Sequence, residues 1–376
     1  MTPYAKAHAV DYGLSFLPDG TPLTKAPRDY FQDALHLSEI ADRAGLRYVK
    51  MTEHYLKAYG GYCPSPLTFL AAVSAKTSRV RLMTGGILPS FHHPVQTASE
   101  CTMVDAISGG RLDVGFARAY LPYEFECFGI DLDQSRARFD ASIDLILRLW
   151  TEEQVSVSTP FFSVRDASIL PRPTQLPHPP VWVTAVRSRG SFAWIGERGF
   201  GLLITSPLSA PEQQADHVSI YLESYTPPAN QPVARPRVAI SLPLYIAPTD
   251  TMAIAEGDVF LRRYHHVWAE AADSWNSARS RDYSGYTGLS YAVRAATPYE
   301  LRRIGSVIVG SPSRVVDAIH ALADRLPLDA ILWQIDFGAM PSDQAHRTLR
   351  LFISDVLPRL AGRCQPRAAD AMQEVR

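Results

Sequence analysis

The stretch YVKMTEHY, residues 48–55, carries an apolar, β-prone run straight into Glu53, His54 and Tyr55. A histidine titrates near neutrality and is the side chain best suited to moving protons at a reacting centre. Three more groups of residues share that placement after an apolar run. RVRLMTGG ends in Gly85 and Gly86, RLDVGFAR ends in Arg118, and PVWVTAVRS ends in Arg187 and Ser188, with Ser191 close behind. Arg118 offers a permanently charged planar fork matched to a phosphate. Ser188 and Ser191 add hydroxyls at a helix start, where free backbone N–H groups and the helix dipole favour an anion. Two glycines without Cβ let the backbone approach a flat ring closely or adopt an unusual peptide geometry. Plainer roles stay open. Arg118 can pair with Glu124 or Glu126 across its loop, Gly85 and Gly86 can relieve packing, and Glu53 can fix His54 or a backbone N–H.

These residues matter together only if the chain gathers their strand ends at one mouth. Short β-branched or apolar runs alternate with longer helical periods about eight times, the pattern of βα units on a parallel sheet. Strands are expected at 8–16, 47–52, 79–86, 111–117, 180–186, 199–205, 237–246 and 329–335. Helices are expected near 29–44, 65–77, 94–107, 135–151, 189–198, 210–225, 250–272, 312–325 and 343–359. In DYFQDALHLSEIADRAGL the apolar residues recur at helical spacing and Gly45 follows as a stop. In GSPSRVVDAIHALADRL, Ser311 or Ser313 is placed to cap a helix whose Val315, Ile319 and Leu322 face inward. The first βα turn, FLPDGTPLTKAP, lacks the GxGxxG of a dinucleotide fold, so the expectation is an α/β fold of the (β/α)8 TIM-barrel type. Such barrels place their sites at the C-terminal ends of the strands. One domain over 1–376 is expected, with a hairpin and proline-rich insertion at 151–180 and a polar, aromatic excursion at 273–305; both read as functional loops or lids.

Composition narrows the partners. With 46% hydrophobic and 20% charged residues over 376 positions, the chain is an ordinary globular protein with a large core. A net charge of −1 with mixed signs gives no basic stripe for nucleic acid and no polybasic membrane segment, which leaves a small molecule as the expected partner. Cys63, Cys101, Cys127 and Cys364 lack zinc-ligand spacing or a disulfide framework, so reduced thiols and a cytoplasmic location are expected. The first residues lack a signal-peptide apolar region, and no run of about 18 apolar residues occurs. His92 and His93 precede Pro94 and fit the first turn of a helix rather than a metal site, and His265 and His266 read as a solvated or interface face. HExxH, GxSxG and GxxxxGK[ST] are all absent, which disfavours zinc, serine and P-loop chemistry. No metal is expected.

Taken together, TEHY, TGGILPSFHHPVQTASECTMVDAISGGRLDVGFARAY, EFECFGIDLDQSRARFD, HPPVWV and LRLFISDVLPRL resemble the bacterial luciferase-like flavin monooxygenases over nearly the whole chain. The resemblance implies a barrel that binds reduced FMN, delivered by a separate flavin reductase, and reacts it with O2 through a flavin C4a-peroxide. It implies catalytic roles for His54 and Glu53, and a non-prolyl cis peptide at Gly85–Gly86 under the isoalloxazine ring. It implies phosphate binding by Arg118 and Arg136 and by the helix start with Arg187, Ser188 and Ser191. It also implies a mobile lid at 273–305, aromatic through Trp275, Tyr283, Tyr286 and Tyr291, and a homodimer face on the helices near 65–77 and 94–107. The chain departs from the family pattern at Ala117, Ala119 and Tyr55, the last standing where a second histidine is usual. Three functions follow as expectations. The first is a two-component FMN-dependent monooxygenase that hydroxylates a small organic substrate or inserts oxygen in the Baeyer–Villiger manner; the others are an F420-dependent hydride-transfer enzyme and a non-catalytic flavin-binding barrel.

Overall fold

A computed structural model describes residues 9–205 and 208–361. Its strands are β1 (Asp11–Phe16), β2 (Tyr48–Met51), β3 (Arg81–Thr84), β4 (Leu112–Ala117), β5 (Val155–Ser158), β6 (Ser163–Ala167), β7 (Val181–Ala185), β8 (Gly201–Thr205), β9 (Val238–Ile246), β10 (Ile308–Gly310) and β11 (Ala330–Gln334). Parallel pairing runs β11-β1-β2-β3-β4-β7-β8, and β9 joins β8 to β11, closing an eight-stranded barrel. All eight expected strands are these. The three-residue β10 was not expected; it pairs with Leu244–Ile246 of β9, beyond the stretch that β11 occupies. β3 ends at Thr84, so Gly85 and Gly86 lie just outside it.

The helices are α1 (Pro27–Arg43), α2 (Pro66–Lys76), α3 (Pro94–Ile107), α4 (Pro122–Cys127), α5 (Ser135–Thr151), α6 (Arg189–Glu197), α7 (Pro211–Ser224), α8 (Asp250–Ala272), α9 (Leu289–Ala295), α10 (Pro298–Arg303), α11 (Pro312–Arg325), α12 (Ser342–Leu351) and α13 (Leu357–Ala361). Several begin with proline at the first helical position, where its missing N–H costs nothing. At α11 this does the work expected of a serine cap: Ser311 makes no side-chain cap bond, and its N–H donates to Asp250 Oδ1 at 2.8 Å. The helix expected at 343–359 is interrupted by a π turn at Phe352–Val356.

Side chains alternate along each strand, and the alternation builds the site. Tyr48, Met83, Trp182, Leu203 and Leu332 fill a buried layer on the barrel axis. Two residues further along, Lys50, Gly85, Thr184, Thr205 and Gln334 form the next layer towards the C-terminal mouth and line a cavity. A larger apolar core lies between strands and helices. The 151–180 insertion sits at the other end of the barrel. Its Gln175 accepts from Arg81 at the start of β3 and donates to the Leu112 carbonyl at the start of β4, so it is no lid over the mouth. The 273–305 segment does cover the mouth, through a 3-10 turn at Arg281–Tyr286 and α9.

Candidate active site

The cavity at the C-terminal mouth measures about 390 Å³, within the range of small-molecule sites. His54 follows β2 and is buried. Its backbone N–H donates to the Cys63 carbonyl at 3.2 Å, and its ring packs under Gly60. Gly60 has φ +76°, and a Cβ there would stand 2.5 Å from His54 Cβ, so the loop fits the histidine only with glycine. Nδ1 of His54 lies 3.1 Å from Oε1 of the fully buried Glu124 on α4. The same oxygen accepts from the Tyr55 N–H at 2.9 Å. With the proton on Nδ1 held by a carboxylate, Nε2 is the nitrogen left for chemistry.

Glu53 is held from three directions. Oε1 accepts from the Tyr55 hydroxyl at 2.6 Å and stands 2.7 Å from His92 Nε2, while Oε2 accepts from the Leu88 N–H at 3.1 Å. Burial and the Glu53 charge push the Tyr55 phenol well above its usual range, and the Glu53 bond raises His92 against the effect of burial. Tyr55 points away from the cavity and packs edge-on against Phe91 and Phe128. The departure at Tyr55 therefore supplies a donor to Glu53 rather than a second histidine in the site.

Gly85 and Gly86 are joined by a cis peptide, as the resemblance implies. Their packing role holds as well. A Cβ on Gly86 would meet the Phe116 carbonyl carbon at 2.4 Å, and one on Gly85 would meet Lys50 Cε at 2.1 Å.

Arg118, Arg187, Ser188 and Ser191 line the same cavity. Arg136, at the start of α5, stands behind them and donates from Nη2 to Ser191 Oγ at 2.9 Å. Burial, and after it the neighbouring Arg118, hold the Arg136 guanidinium below its usual value, while Asp140 and Asp282 act in the opposite sense. Arg118 pairs with neither Glu124 nor Glu126. Its guanidinium lies 4.2 Å from the Tyr283 ring centre, donates to the Asp282 carbonyl at 3.0 Å and stands 3.5 Å from Asp282 Oδ2. The Arg136 N–H also reaches Asp282 Oδ2, at 3.4 Å, and Arg187 donates to the Gly285 carbonyl at 3.0 Å. The lid is thus tied to the cationic cluster by its own carboxylate and carbonyls.

Aromatic side chains close the remaining walls. Tyr59 stacks on Trp268, and Trp268 Nε1 donates to the Tyr120 hydroxyl at 3.1 Å. Trp275, itself buried, backs Tyr283 and Tyr286. Tyr291 does not join them, being 68% exposed on the outer face of α9. His265 corrects the expectation of a solvated face: it is buried, lines the cavity and is held neutral by burial, its pKa pushed down to about 4, while His266 remains exposed. On the floor, Thr184 Oγ1 and Gln334 Nε2 are buried without a hydrogen-bond partner.

Among the described residues no cluster of metal-ligating side chains occurs and no helix is long and apolar enough to cross a membrane. Cys63, Cys101 and Cys127 are free thiols, and Cys364 lies outside the described residues.

A closed (β/α)8 barrel whose C-terminal mouth opens on a cavity lined by Arg118, Arg187, Ser188, Ser191 and the buried His54 has the architecture of a barrel enzyme. Residues 10–328 match the model of the luciferase-like monooxygenases, and the chain belongs to that family. The oxygenase component of a flavin-dependent trigonelline monooxygenase from Acinetobacter baylyi is 28% identical over 339 residues, spanning 88% of this chain and 90% of that protein. The crystal structure of the monooxygenase RslO1 from Streptomyces bottropensis superposes with a TM-score of 0.77 at 34% identity, covering 93% of this chain and 99% of that one. At 18% identity, a coenzyme F420 dependent tetrahydromethanopterin reductase from Methanopyrus kandleri shares the fold, with a TM-score of 0.65 over 94% of this chain and 99% of its own. The chain is accordingly an enzyme of a flavin-dependent monooxygenase family that also has F420-dependent relatives.

Proposed function

We propose that the chain is the oxygenase of a two-component system that takes reduced FMN from a separate reductase and uses O2 to oxygenate a small organic substrate, by hydroxylation or Baeyer–Villiger insertion. The observation that carries this reading is the cluster of Arg118, Arg136 and Arg187 with Ser188 and Ser191, closed over by the lid. Its donor set fits a terminal phosphate. The flat Gly85–Gly86 floor and the unpartnered Thr184 and Gln334 atoms fit a ring with polar edges. The relative from Acinetobacter baylyi is named as an oxygenase component, which supports a separate reductase.

Bound reduced FMN supplies two electrons, so that one oxygen atom of O2 enters the substrate and the other leaves as water. The residues of this chain do the rest. The arginines and serines bind the phosphate. His54, its tautomer set by Glu124, holds or moves a proton at the reacting atoms from Nε2, and Glu53 braces the loop that carries it. Tyr283, Tyr286 and Trp268 keep water out. Met103 and Ile107, exposed at 50% and 57% on α3, support a homodimer through α2 and α3.

Anaerobic reconstitution tests the reading. Turnover that needs O2, FMN and a flavin reductase is expected; O2-independent turnover with reduced F420, or flavin binding without oxygen consumption, would overturn it.

A further inference from the structure

The cavity floor holds a cation that the chemistry above does not use. Lys50 points from β2 into the barrel with 2% exposure. Its Nζ donates to Ser15 Oγ at 3.0 Å and Thr52 Oγ1 at 3.1 Å, and Ser241 Oγ donates to Ser15 at 2.9 Å. All three partners are neutral hydroxyls. The third N–H of the ammonium has no partner among the described residues, and no carboxylate among them makes an ion pair with it. Asp336, after β11, is the titratable group that acts on it when ionised, from beyond ion-pair distance, and burial itself favours the protonated form of Asp336. The stem of Lys50 packs on Gly85, so the charge sits beside the Gly85–Gly86 floor.

A buried ammonium without a counter-ion is costly, and an apolar side chain of similar length would fill the same space without that cost. Burial pushes the Lys50 amine down to about 7, so at pH 8 most of the amine is neutral in the free protein. What would favour the charged form is an anion seated on the floor. Both forms of FMN carry the same phosphate, but the oxidised ring is neutral whereas the reduced ring is a weak acid that ionises near neutrality. We propose that Lys50 is the counter-charge for an anionic ring on the Gly85–Gly86 floor and so makes this chain prefer reduced over oxidised flavin. The inference rests on the FMN reading. Binding then takes one proton from solvent to the Lys50 amine, forming its third N–H bond to hydrogen, and no covalent bond to the flavin forms. An anionic substrate offers the same chemistry, and the oxidised-against-reduced comparison separates the two sources.

The test is equilibrium binding of oxidised FMN and, anaerobically, of reduced FMN to the wild type, Lys50→Met and Lys50→Gln, with circular dichroism to verify folding. The wild type should prefer reduced FMN at least tenfold. Both variants should lose at least tenfold of that preference, a fall of about 30 mV in the potential of the bound flavin, while oxidised FMN binds within threefold of wild type. The wild type alone gives a second readout: at pH 8, heats of binding in two buffers of unlike ionisation enthalpy should show proton uptake with reduced FMN and none with oxidised FMN. Flavin binding with the preference unchanged in the variants, or without proton uptake in the wild type, overturns this inference alone, an unchanged preference leaving an anionic substrate as the partner of the charge. A wild type that binds neither form of FMN overturns the FMN reading and this inference with it.

Discussion

Replacing Arg118 by methionine keeps most of the bulk over Tyr283 and removes the charge. The Arg118 side chain is 14% exposed, so a phosphate beside it is partly shielded from water. At an effective dielectric of about 20, a pair of unit charges about 4 Å apart interacts by about 4 kcal/mol. Against this stands what Arg118 gives up when a phosphate arrives. The Asp282 pair, 29% exposed on the acid side, is worth about 1 kcal/mol at most, and the contact with Tyr283 about 0.5–1 kcal/mol. The net loss in Arg118→Met is therefore about 2–3 kcal/mol, or a Kd for FMN raised about 30- to 150-fold. Riboflavin has the same ring and no phosphate, so its affinity should change less than about threefold. Fluorescence titrations of both ligands against both proteins give the comparison, and the FMN difference should shrink with added salt. Equal losses for FMN and riboflavin would mean that Arg118 serves the lid and not a phosphate, and an unchanged FMN affinity would refute the cationic seat.

Three further outcomes follow from the same geometry. Glu124→Gln keeps the shape of the side chain but removes the charge facing His54 Nδ1, so turnover should fall about 10- to 100-fold with FMN affinity within threefold of wild type; an unaffected turnover number argues against His54 as the proton carrier. Asp282→Asn removes the lid carboxylate held by Arg118 and the Arg136 N–H, and FMN should bind about three- to tenfold more tightly while riboflavin is unchanged; weaker FMN binding in that variant would contradict a competition between the lid and the phosphate. Burial raises Asp336 to about 7, so the folded protein keeps a proton there that the unfolded chain gives up near pH 4. The stability this group contributes is full below that point and lost as pH rises through about 7, and Asp19, raised to about 6 by burial, acts in the same sense. Asp336→Asn retains an acceptor for the Tyr30 hydroxyl, now 2.7 Å away, and should be more stable than wild type in urea by about 2 kcal/mol at pH 8 with no advantage at pH 4; an advantage independent of pH would refute the buried proton.

The barrel was legible because its strands are short apolar runs at regular spacing, and their polar C-terminal ends marked the residues that line the cavity. Contacts between distant loops were not. Glu124 meets His54 across seventy positions and His92 meets Glu53 across thirty-nine, and no local pattern announces either pair. Asp282 became visible only once the lid was folded over the arginines. Lys50 carried a readable signal: a lysine two residues after the inward-facing Tyr48 must also point into the barrel. A long excursion such as 151–180 suggests a functional loop or lid when only the sequence is considered. It follows α5 and precedes β7, however, and a loop that leads into a strand lies at the N-terminal end of the barrel, away from the mouth. The three residues of β10 are too few to show a period in the sequence.

The most direct test of the central claim is to mix the anaerobic complex of enzyme and reduced FMN with oxygenated buffer in a stopped-flow spectrophotometer. The account predicts a delay in which the bound flavin shows a spectrum unlike either its reduced or its oxidised form, with oxidised FMN released afterwards. Oxidised FMN appearing directly, at the rate seen for free reduced FMN in the same buffer, would contradict it.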